Sequence, residues 1–178
     1  EEAQLDGQIN GVFQVKLRDK GPIGVIRLDA GQGELRVKHE EVWETFAWKT
    51  LQLNSDLGDR AISSKLQLTG VESGHLEVLA NIDPRSEQKK LQGHFDINNV
   101  DLSALRPFVS QVEAIKGQLE GRGMLAGTLL KPLVTGFVQI SEAQLSGGDL
   151  PVPFQQLQLR ADIKGEHLQL NGGWKSGD

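Results

Sequence analysis

The sequence predicts an all-β protein with one short helix, and three observations support that prediction. Apolar residues recur at every second position through most of the 178 residues, which is the period of strands with one wet face. Turn-forming residues separate the alternating stretches at short intervals, which favours antiparallel neighbours in a meander. The chain also has 21 glycines, where the average share of roughly 7% would give far fewer, and many of them fall on the apolar side of the alternation.

The alternation predicts about eleven or twelve strands. The first strand, over Leu5 to Leu17, shows it most clearly, because Val12 is the only apolar residue on its polar side. The last strand, Leu168 to Trp174, repeats the pattern near the end of the chain. Glycine-containing turns are expected at residues 20–22, 31–33, 57–59, 72–74, 146–149 and 164–166.

One stretch, Asp101 to about Val112, has apolar residues at helical spacing. Asp101 or Ser103 is expected to cap this helix, and Pro107 must shorten or kink it. A second irregular stretch, residues 40–48, contains two of the three tryptophans. Its pattern fits either a bulged strand or one helical turn.

A long sheet with one apolar face and almost no helix must bury that face against itself. A sandwich, a closed barrel and a trough folded from one sheet all achieve this. Glycines on the apolar face favour the trough, because a strand without a side chain there bends easily and lets opposite walls approach, although ordinary bulges would also explain them. The glycines concerned are Gly7, Gly11, Gly93, Gly117, Gly121 and Gly123.

The composition excludes several classes of function. Nineteen basic residues against 24 acidic ones give a net charge of −5, and no basic run is present, so we expect no nucleic-acid partner. The absence of cysteine excludes disulfides and thiolate chemistry. The chain begins at Glu1 without a leader-like or membrane-spanning stretch, and we expect it to be a piece of a longer protein.

No catalytic constellation is evident in the sequence. The histidines fall on polar faces or in turns, and no GxSxG elbow, HExxH helix or P-loop is present. His94 and Asp96 share a strand face, where the alternatives are a weak surface metal site and a solvated pair, and we expect the solvated pair. We therefore expect no enzyme, no cofactor and no metal site. The four histidines are His39, His75, His94 and His167.

The segment from Ile115 to Leu170 contains the most specific motif. Residues 117–136, GQLEGRGMLAGTLLKPLVTG, resemble the GxLxGxGxLxGTLxxPxVxG pattern of the TamB family. The match covers about half of the chain and is nearest to the C-terminal region of that family. Further similarity lies in residues 101–105, which resemble the family's DLSxL helix, and in residues 140–145, 150–154 and 157–159, which resemble its strand, loop and strand.

This resemblance implies a section of a long periplasmic protein that is anchored in the inner membrane and reaches an outer-membrane barrel partner called TamA. The family is linked to autotransporter assembly. It is also similar to the AsmA-like bridge proteins, whose apolar troughs are thought to move phospholipid toward the outer membrane. The family's fold is a single long antiparallel sheet curled into an open taco-like groove, so we expect residues 1–178 to form one such section with a short helix near 101–112.

The candidate site is the apolar lining of that groove, which would be on the order of 50 Å long for strands spaced roughly 4.8 Å apart. Acyl chains need only dry surface, and an exposed apolar patch of this size calls for a function, although a closed core would use the same residues. The predicted lining comprises Ile9, Phe13, Val15, Leu35, Val37, Leu66, Leu68, Leu76, Val78, Phe95, Ile97, Leu119, Leu125, Val138, Ile140, Leu157, Leu159, Ile163, Leu168 and Leu170.

The alternative function is that of a chaperone or scaffold. Unfolded outer-membrane β-strands would bind either in the groove or along an exposed edge of the sheet. Edge pairing depends on the backbone, whereas lipid binding depends on the side chains that line the groove. Substitutions in the lining therefore distinguish the two functions.

Overall fold

The computed structural model describes residues 2–19, 21–39, 42–70, 74–108, 114–147 and 153–176. Over these residues the chain forms ten antiparallel strands in a single sheet, in sequence order. The strands are β1 (Glu2–Arg18), β2 (Gly21–His39), β3 (Val42–Leu57), β4 (Ile62–Gly70), β5 (His75–Ile82), β6 (Leu91–Asp101), β7 (Ala114–Gly127), β8 (Pro132–Ser146), β9 (Phe154–Lys164) and β10 (His167–Ser176). A 3-10 helix (Leu102–Phe108) lies between β6 and β7.

The sheet is an open meander. Each strand pairs with its neighbours in sequence, and β1 and β10 are the two edges of the sheet. The predicted fold class, one long antiparallel sheet curled into an open taco-like groove with a short helix, is confirmed. The sandwich and the closed barrel are excluded for the described residues.

The register of strand pairing gathers apolar residues from all ten strands on one side of the sheet, which we call the apolar face. The opposite side, which carries most of the charged residues, is the polar face. One row of paired residues on the apolar face runs through Gly11, Leu28, Leu53, Leu66, Val78, Phe95, Gly123, Gly136, Ile163 and Leu168. The next row runs through Ile9, Ala30, Leu51, Leu68, Leu76, Ile97, Gly121, Val138, Ala161 and Leu170.

Bulges interrupt several strands beside these rows. Extra residues occur in β2, β3, β6, β8 and β9, where the register shifts against a neighbouring strand. Three bulge residues have a positive φ: Asn99 (52°), Glu142 (51°) and Gln156 (49°). A bulge bends its strand and increases the local twist. Together, these bulges therefore curl the sheet.

The predicted turn at residues 31–33 is wrong. These residues form the bulge inside β2, which continues to pair with β1 and β3 on both sides of it. Two expected strands are therefore one, and the structure has ten strands where about eleven or twelve were expected. The pattern of residues 40–48 fits either a bulged strand or one helical turn. The described part of this stretch, from Val42, is strand and belongs to β3.

Turns at Gly58 and Gly165 are confirmed. Gly58 donates its N–H to the carbonyl of Ala61 at 3.0 Å, and Gly165 follows the end of β9, where its N–H reaches the carbonyl of Val134 at 2.8 Å. Parts of three other predicted turns, at residue 20, residues 72 and 73, and residues 148 and 149, lie outside the described residues.

The described part of the helix is tighter than the spacing predicted, because it is a 3-10 helix. It begins at Leu102, after Asp101, whose Oδ1 accepts the N–H of Ser103 at 2.8 Å, so Asp101 is the cap. Residues 109–112 of the predicted helix lie outside the described residues. A 3-10 turn of this length is typical of a connector rather than of an independent helix.

The position of the 3-10 helix shows how strongly the sheet curls. The helix packs against β3 and β7, and to a smaller extent against β2 and β6. Three strands separate β3 from β7 in the sheet, so the two would be roughly 19 Å apart if the sheet were flat. Both can contact one narrow helix only because the apolar face is folded around it.

Two of the most buried side chains belong to this helix and to β3, which the helix contacts. Leu102 is 2% exposed and Trp48 of β3 is 4% exposed. The indole of Trp48 lies against Gly33 on β2, where a Cβ atom would be only 2.7 Å from Cζ2 of the tryptophan. Glycine at this position therefore allows the ring to lie close to the sheet.

Leu102→Ala should destabilise the protein by about 2–4 kcal/mol, because it removes the most buried leucine and leaves a cavity beneath the helix. Urea unfolding followed by circular dichroism measures this change. The matched control is Leu130→Ala, in a turn where the leucine is 90% exposed, and it should change stability by no more than about 0.5 kcal/mol. Equal effects of the two substitutions would show that the helix is not packed as described.

Gly136→Ala should destabilise the protein by about 1–3 kcal/mol, since the new methyl group has no room. A Cβ atom there would be 2.2 Å from the carbonyl oxygen of Arg122 and 2.4 Å from Cα of Gly123. Gly173→Ala in β10 is the control, because a Cβ atom at that position meets nothing within 4 Å. Unfolding free energies that do not differ between the two variants would contradict the close approach of β7 and β8.

Candidate functional site

The pairing register places all twenty residues of the predicted lining on the apolar face. Their exposure changes across the sheet. Phe13 in β1 and Leu168 and Leu170 in β10 are exposed, whereas Leu66 and Val78 in the central strands are half-buried. The two ends of the apolar face are therefore open to solvent, and the centre is partly sheltered by curvature and by the 3-10 helix. Contact of these residues with a ligand stays a prediction.

The 3-10 helix occupies part of the same apolar face. Between it and the strands remains a space of about 30 Å³, lined in part by Phe46, Leu68, Leu76 and Ala104. That volume is about the size of one water molecule, so the helix nearly fills this section of the groove. A lipid and the helix could not occupy the section together.

One charged residue lies on the apolar face. The pairing of Val37 with Glu44 puts this carboxylate on the same side as Phe46 and Trp48. Within the described chain, Glu44 is the only Asp, Glu, Lys or Arg that the strand pairings place on this face. Arg106 of the 3-10 helix reaches it, with Nη2 3.2 Å from Oε1, and the two side chains are only 18% and 17% exposed.

Sequence reasoning missed this ion pair. The bulge at residues 31–33 shifts the phase of β2, and β3 carries a matching shift next to Trp48, so the face of Glu44 could not be assigned by counting. The available signal was a carboxylate that lies between aromatic residues in the sequence of β3. The separation of 62 residues between Glu44 and Arg106 left no local pattern to connect them.

Trp48 leaves a polar atom without a partner. Its Nε1 is buried, and no hydrogen-bond acceptor reaches it in the part of the chain that the structure describes. The ring packs instead against Phe46, with 5.9 Å between the ring centroids. By contrast, the hydroxyl groups of Ser55 and Ser64, which face each other on the apolar face, are hydrogen-bonded. The distance between their Oγ atoms is 2.9 Å.

Both edge strands expose apolar side chains. Leu5, Phe13 and Leu17 of β1 are exposed, as are Leu168 and Trp174 of β10. These two strands, the predicted first and last, are the edges of the sheet. The outer backbone groups of such edges are available for pairing with another strand.

The polar face holds a shallow concavity of about 720 Å³. Phe137 is one of its lining residues and lies close to two guanidinium groups, with Arg160 4.0 Å and Arg122 5.7 Å from the ring centroid. Arg160 is held in place by Asp162 at 2.8 Å and by Gln139 at 3.2 Å. This arrangement is typical of a rigid cation–π stack.

The predicted pair of His94 and Asp96 also lines this concavity. His94 Nε2 lies 4.0 Å from Oε1 of Glu77. Among the described residues no three His, Asp or Glu side chains are grouped as metal ligands. His39 and His167 lie elsewhere, in β2 and at the start of β10, so the structure does not bring the four histidines together.

Lys65→Met should raise the pKa of Glu77 toward its ordinary value. The hydrogen bond from Lys65, with Nζ 2.9 Å from Oε2, is the main cause that holds this pKa below 4.5, and the charge of Lys65 adds to it. A carboxyl group with a lowered pKa stabilises the native state above its unfolded pKa, and this contribution is lost as the pH falls through the lowered value. Carboxyl titration by NMR measures the shift, and an unchanged Glu77 titration in the variant would contradict the assigned contact.

Comparison with known protein families identifies the family of this chain. The family model described as TamB, N-terminal domain, matches residues 1–140. The chain belongs to the TamB family. TamB proteins are associated with the cell envelope, which fixes the general context of the apolar face. No solved structure matches this TamB-family chain.

The match does not support the expected position within the family. The sequence motif resembled the C-terminal region of the TamB family, whereas the matching model describes the N-terminal domain. It covers the first strands, which show no specific motif, and ends at residue 140, inside β8. Within the described residues, no helix is long and apolar enough to cross a membrane.

Proposed function

We propose that this TamB-family chain is a periplasmic section of a protein anchored in the inner membrane, and that its apolar face carries phospholipid toward the outer membrane. In this proposal it works with a TamA-type barrel protein and so supports the assembly of autotransporters and other outer-membrane proteins. It assigns the chain no catalytic step and no cofactor. The observation that supports it best is a continuous apolar face, crossing ten strands, on a sheet that remains open.

The dimensions of the apolar face suit a lipid path. Ten strands spaced roughly 4.8 Å apart give a face on the order of 40 Å long across the sheet. Each Å² of acyl chain that leaves water for this face contributes about 25 cal/mol, without directional contacts. Binding of this kind holds a lipid while letting it slide from one strand to the next.

The ends of the face support transfer between neighbouring sections. Phe13 in β1 and Leu170 in β10 are exposed, so the apolar path is not closed at either edge. Apart from Glu44 and Arg106, the charged side chains of the described residues lie on the polar face and in the turns. The lipid headgroup therefore lies at the open lip of the groove. A sheet of the same fold placed against either edge would lengthen the path.

Substitution of arginine for Leu119, Ile140 or Leu170 should remove bound phospholipid, because each change places a charge on the apolar face. Leu119 and Ile140 are directly paired across β7 and β8, and Leu170 is exposed, so the last variant should fold without difficulty. The chain is purified without detergent, and lipid is extracted and quantified by mass spectrometry. Each variant should retain less than about a tenth of the wild-type lipid.

The control is Met124→Arg, which adds the same charge to the polar face where the methionine is exposed. It should retain wild-type lipid. Circular dichroism confirms that each variant is folded. A folded wild-type chain without any lipid, or equal loss in the control, would contradict the proposal.

A second candidate function rests on the two edge strands. The outer backbone groups of β1, which runs from Glu2 to Arg18, have no strand partner among the described residues. An unfolded outer-membrane strand could extend the sheet there through backbone hydrogen bonds. A photoreactive residue at Gln14 should then crosslink such strands, and Leu119→Arg should abolish lipid binding while leaving this crosslink unchanged. Loss of both activities together would place the polypeptide in the groove.

A further inference from the structure

We propose that the 3-10 helix is a displaceable occupant of the apolar groove, and that the ligand which replaces it is a phospholipid with a primary-amine headgroup. In the loaded state the ammonium group takes over the contact that Arg106 makes with Glu44. The inference rests on the proposed function, because it specifies which lipid the groove prefers and what must move to admit it.

The sheet does not need the helix for its continuity. The strands on either side of it, β6 and β7, pair directly with each other, through Val100 with Leu119 and Asp101 with Gln118 among others. The helix is an excursion between two paired strands, and its departure breaks no strand pairing. A 3-10 helix of seven residues has little stability of its own, so it stays in place through its side-chain contacts.

Two of those contacts, one apolar and one ionic, are contacts that a lipid can also supply. Leu102 contributes a buried apolar side chain, which an acyl chain replaces without directional requirements. Arg106 contributes a positive charge to Glu44 in a mostly buried ion pair. An amphipathic molecule that combines apolar chains with a cationic group on its headgroup therefore offers both of these contacts.

Glu44 decides which headgroup fits. When the helix leaves, this carboxylate remains on an apolar face without Arg106, and an unpaired charge in such a position is unfavourable. An ammonium group offers three N–H donors and a full positive charge. A phospholipid whose headgroup carries only negative charge leaves Glu44 unpaired and adds repulsion.

The closed state also contains an unsatisfied group that favours release. Nε1 of Trp48 is buried without an acceptor in the described chain. A buried donor without a partner costs free energy, whereas the ester and phosphate oxygens of a phospholipid are acceptors. Opening of this section gives the indole N–H a partner that the helix does not provide.

The test uses vesicles of equal amounts of phosphatidylethanolamine and phosphatidylglycerol with identical acyl chains. The chain is incubated with them and re-isolated, and bound lipid is quantified by mass spectrometry. Both lipids compete for the same apolar face, so the ratio of bound lipids measures selectivity directly. We expect roughly tenfold enrichment of phosphatidylethanolamine.

Three variants locate the cause of the selectivity. Glu44→Gln, which is nearly isosteric, should bring the ratio of bound lipids to about one. Glu34→Gln is the matched control, because this glutamate pairs with Arg36 on the polar face of β2 and should leave the ratio unchanged. Arg106→Gln should raise total lipid uptake while keeping the preference, since it weakens the helix and leaves Glu44 in place.

Displacement of the helix is measured separately. The chain has no cysteine, so spin labels at Ser103→Cys in the helix and Thr45→Cys on the polar face of β3 report a single distance. Loading with lipid should lengthen that distance. In buffer without vesicles, the distance between the two labels should not change.

Each outcome separates the inference from the proposed function. Lipid bound with no headgroup preference, or with a preference that Glu44→Gln retains, overturns the role of Glu44 while the groove still carries lipid. Bound lipid with an unchanged spin-label distance overturns displacement of the helix. If neither the wild-type chain nor Arg106→Gln binds lipid, the proposed function and this inference are overturned together.

Discussion

The fold depends on keeping one face apolar through strands that contain bulges. An extra residue in a strand moves every following side chain to the opposite side of the sheet unless the sequence changes phase at the same point. The sequence does change phase. In β2 the apolar face uses even positions up to Ala30 and odd positions from Gly33, and in β3 it uses even positions up to Trp48 and odd positions from Leu51. The bulges can therefore bend the sheet without mixing its two faces.

Because the sheet bends, the apolar face is its inner, concave surface. The 3-10 helix lies in this concavity. It contacts strands that would be far apart in a flat sheet, and it introduces Arg106 beside Glu44, the one acidic side chain that the described strands place there. An ion pair in this position adds little to stability when compared with two apolar residues of the same size. Its value is specificity, because it fixes where the helix sits and leaves a defined charge when the helix departs.

Much of the fold could be predicted from the sequence because the alternation is local. The relative face of residues within one regular stretch follows from counting by two. The Gly31-Gln32-Gly33 segment was mistaken for a turn because a change of phase with glycines looks the same in both cases, and only the partner strands distinguish them.

Long-range features could not be predicted in this way. The contact between Glu44 and Arg106, and the burial of Trp48, depend on how far the sheet curls, which no local pattern specifies. The 3-10 form of Leu102–Phe108 has the same origin, because the helix is held by the strands around it rather than by its own propensity.

The central claim is that lipid binds on the apolar face, and crosslinking with a photoactivatable acyl chain tests it most directly. Phospholipid carrying such a group is bound to the purified chain and activated, and the modified residues are identified by mass spectrometry. The account predicts crosslinks on apolar-face residues such as Leu66, Val78 and Leu168. Crosslinks concentrated on the polar face, around Met124 and Phe137, would contradict it.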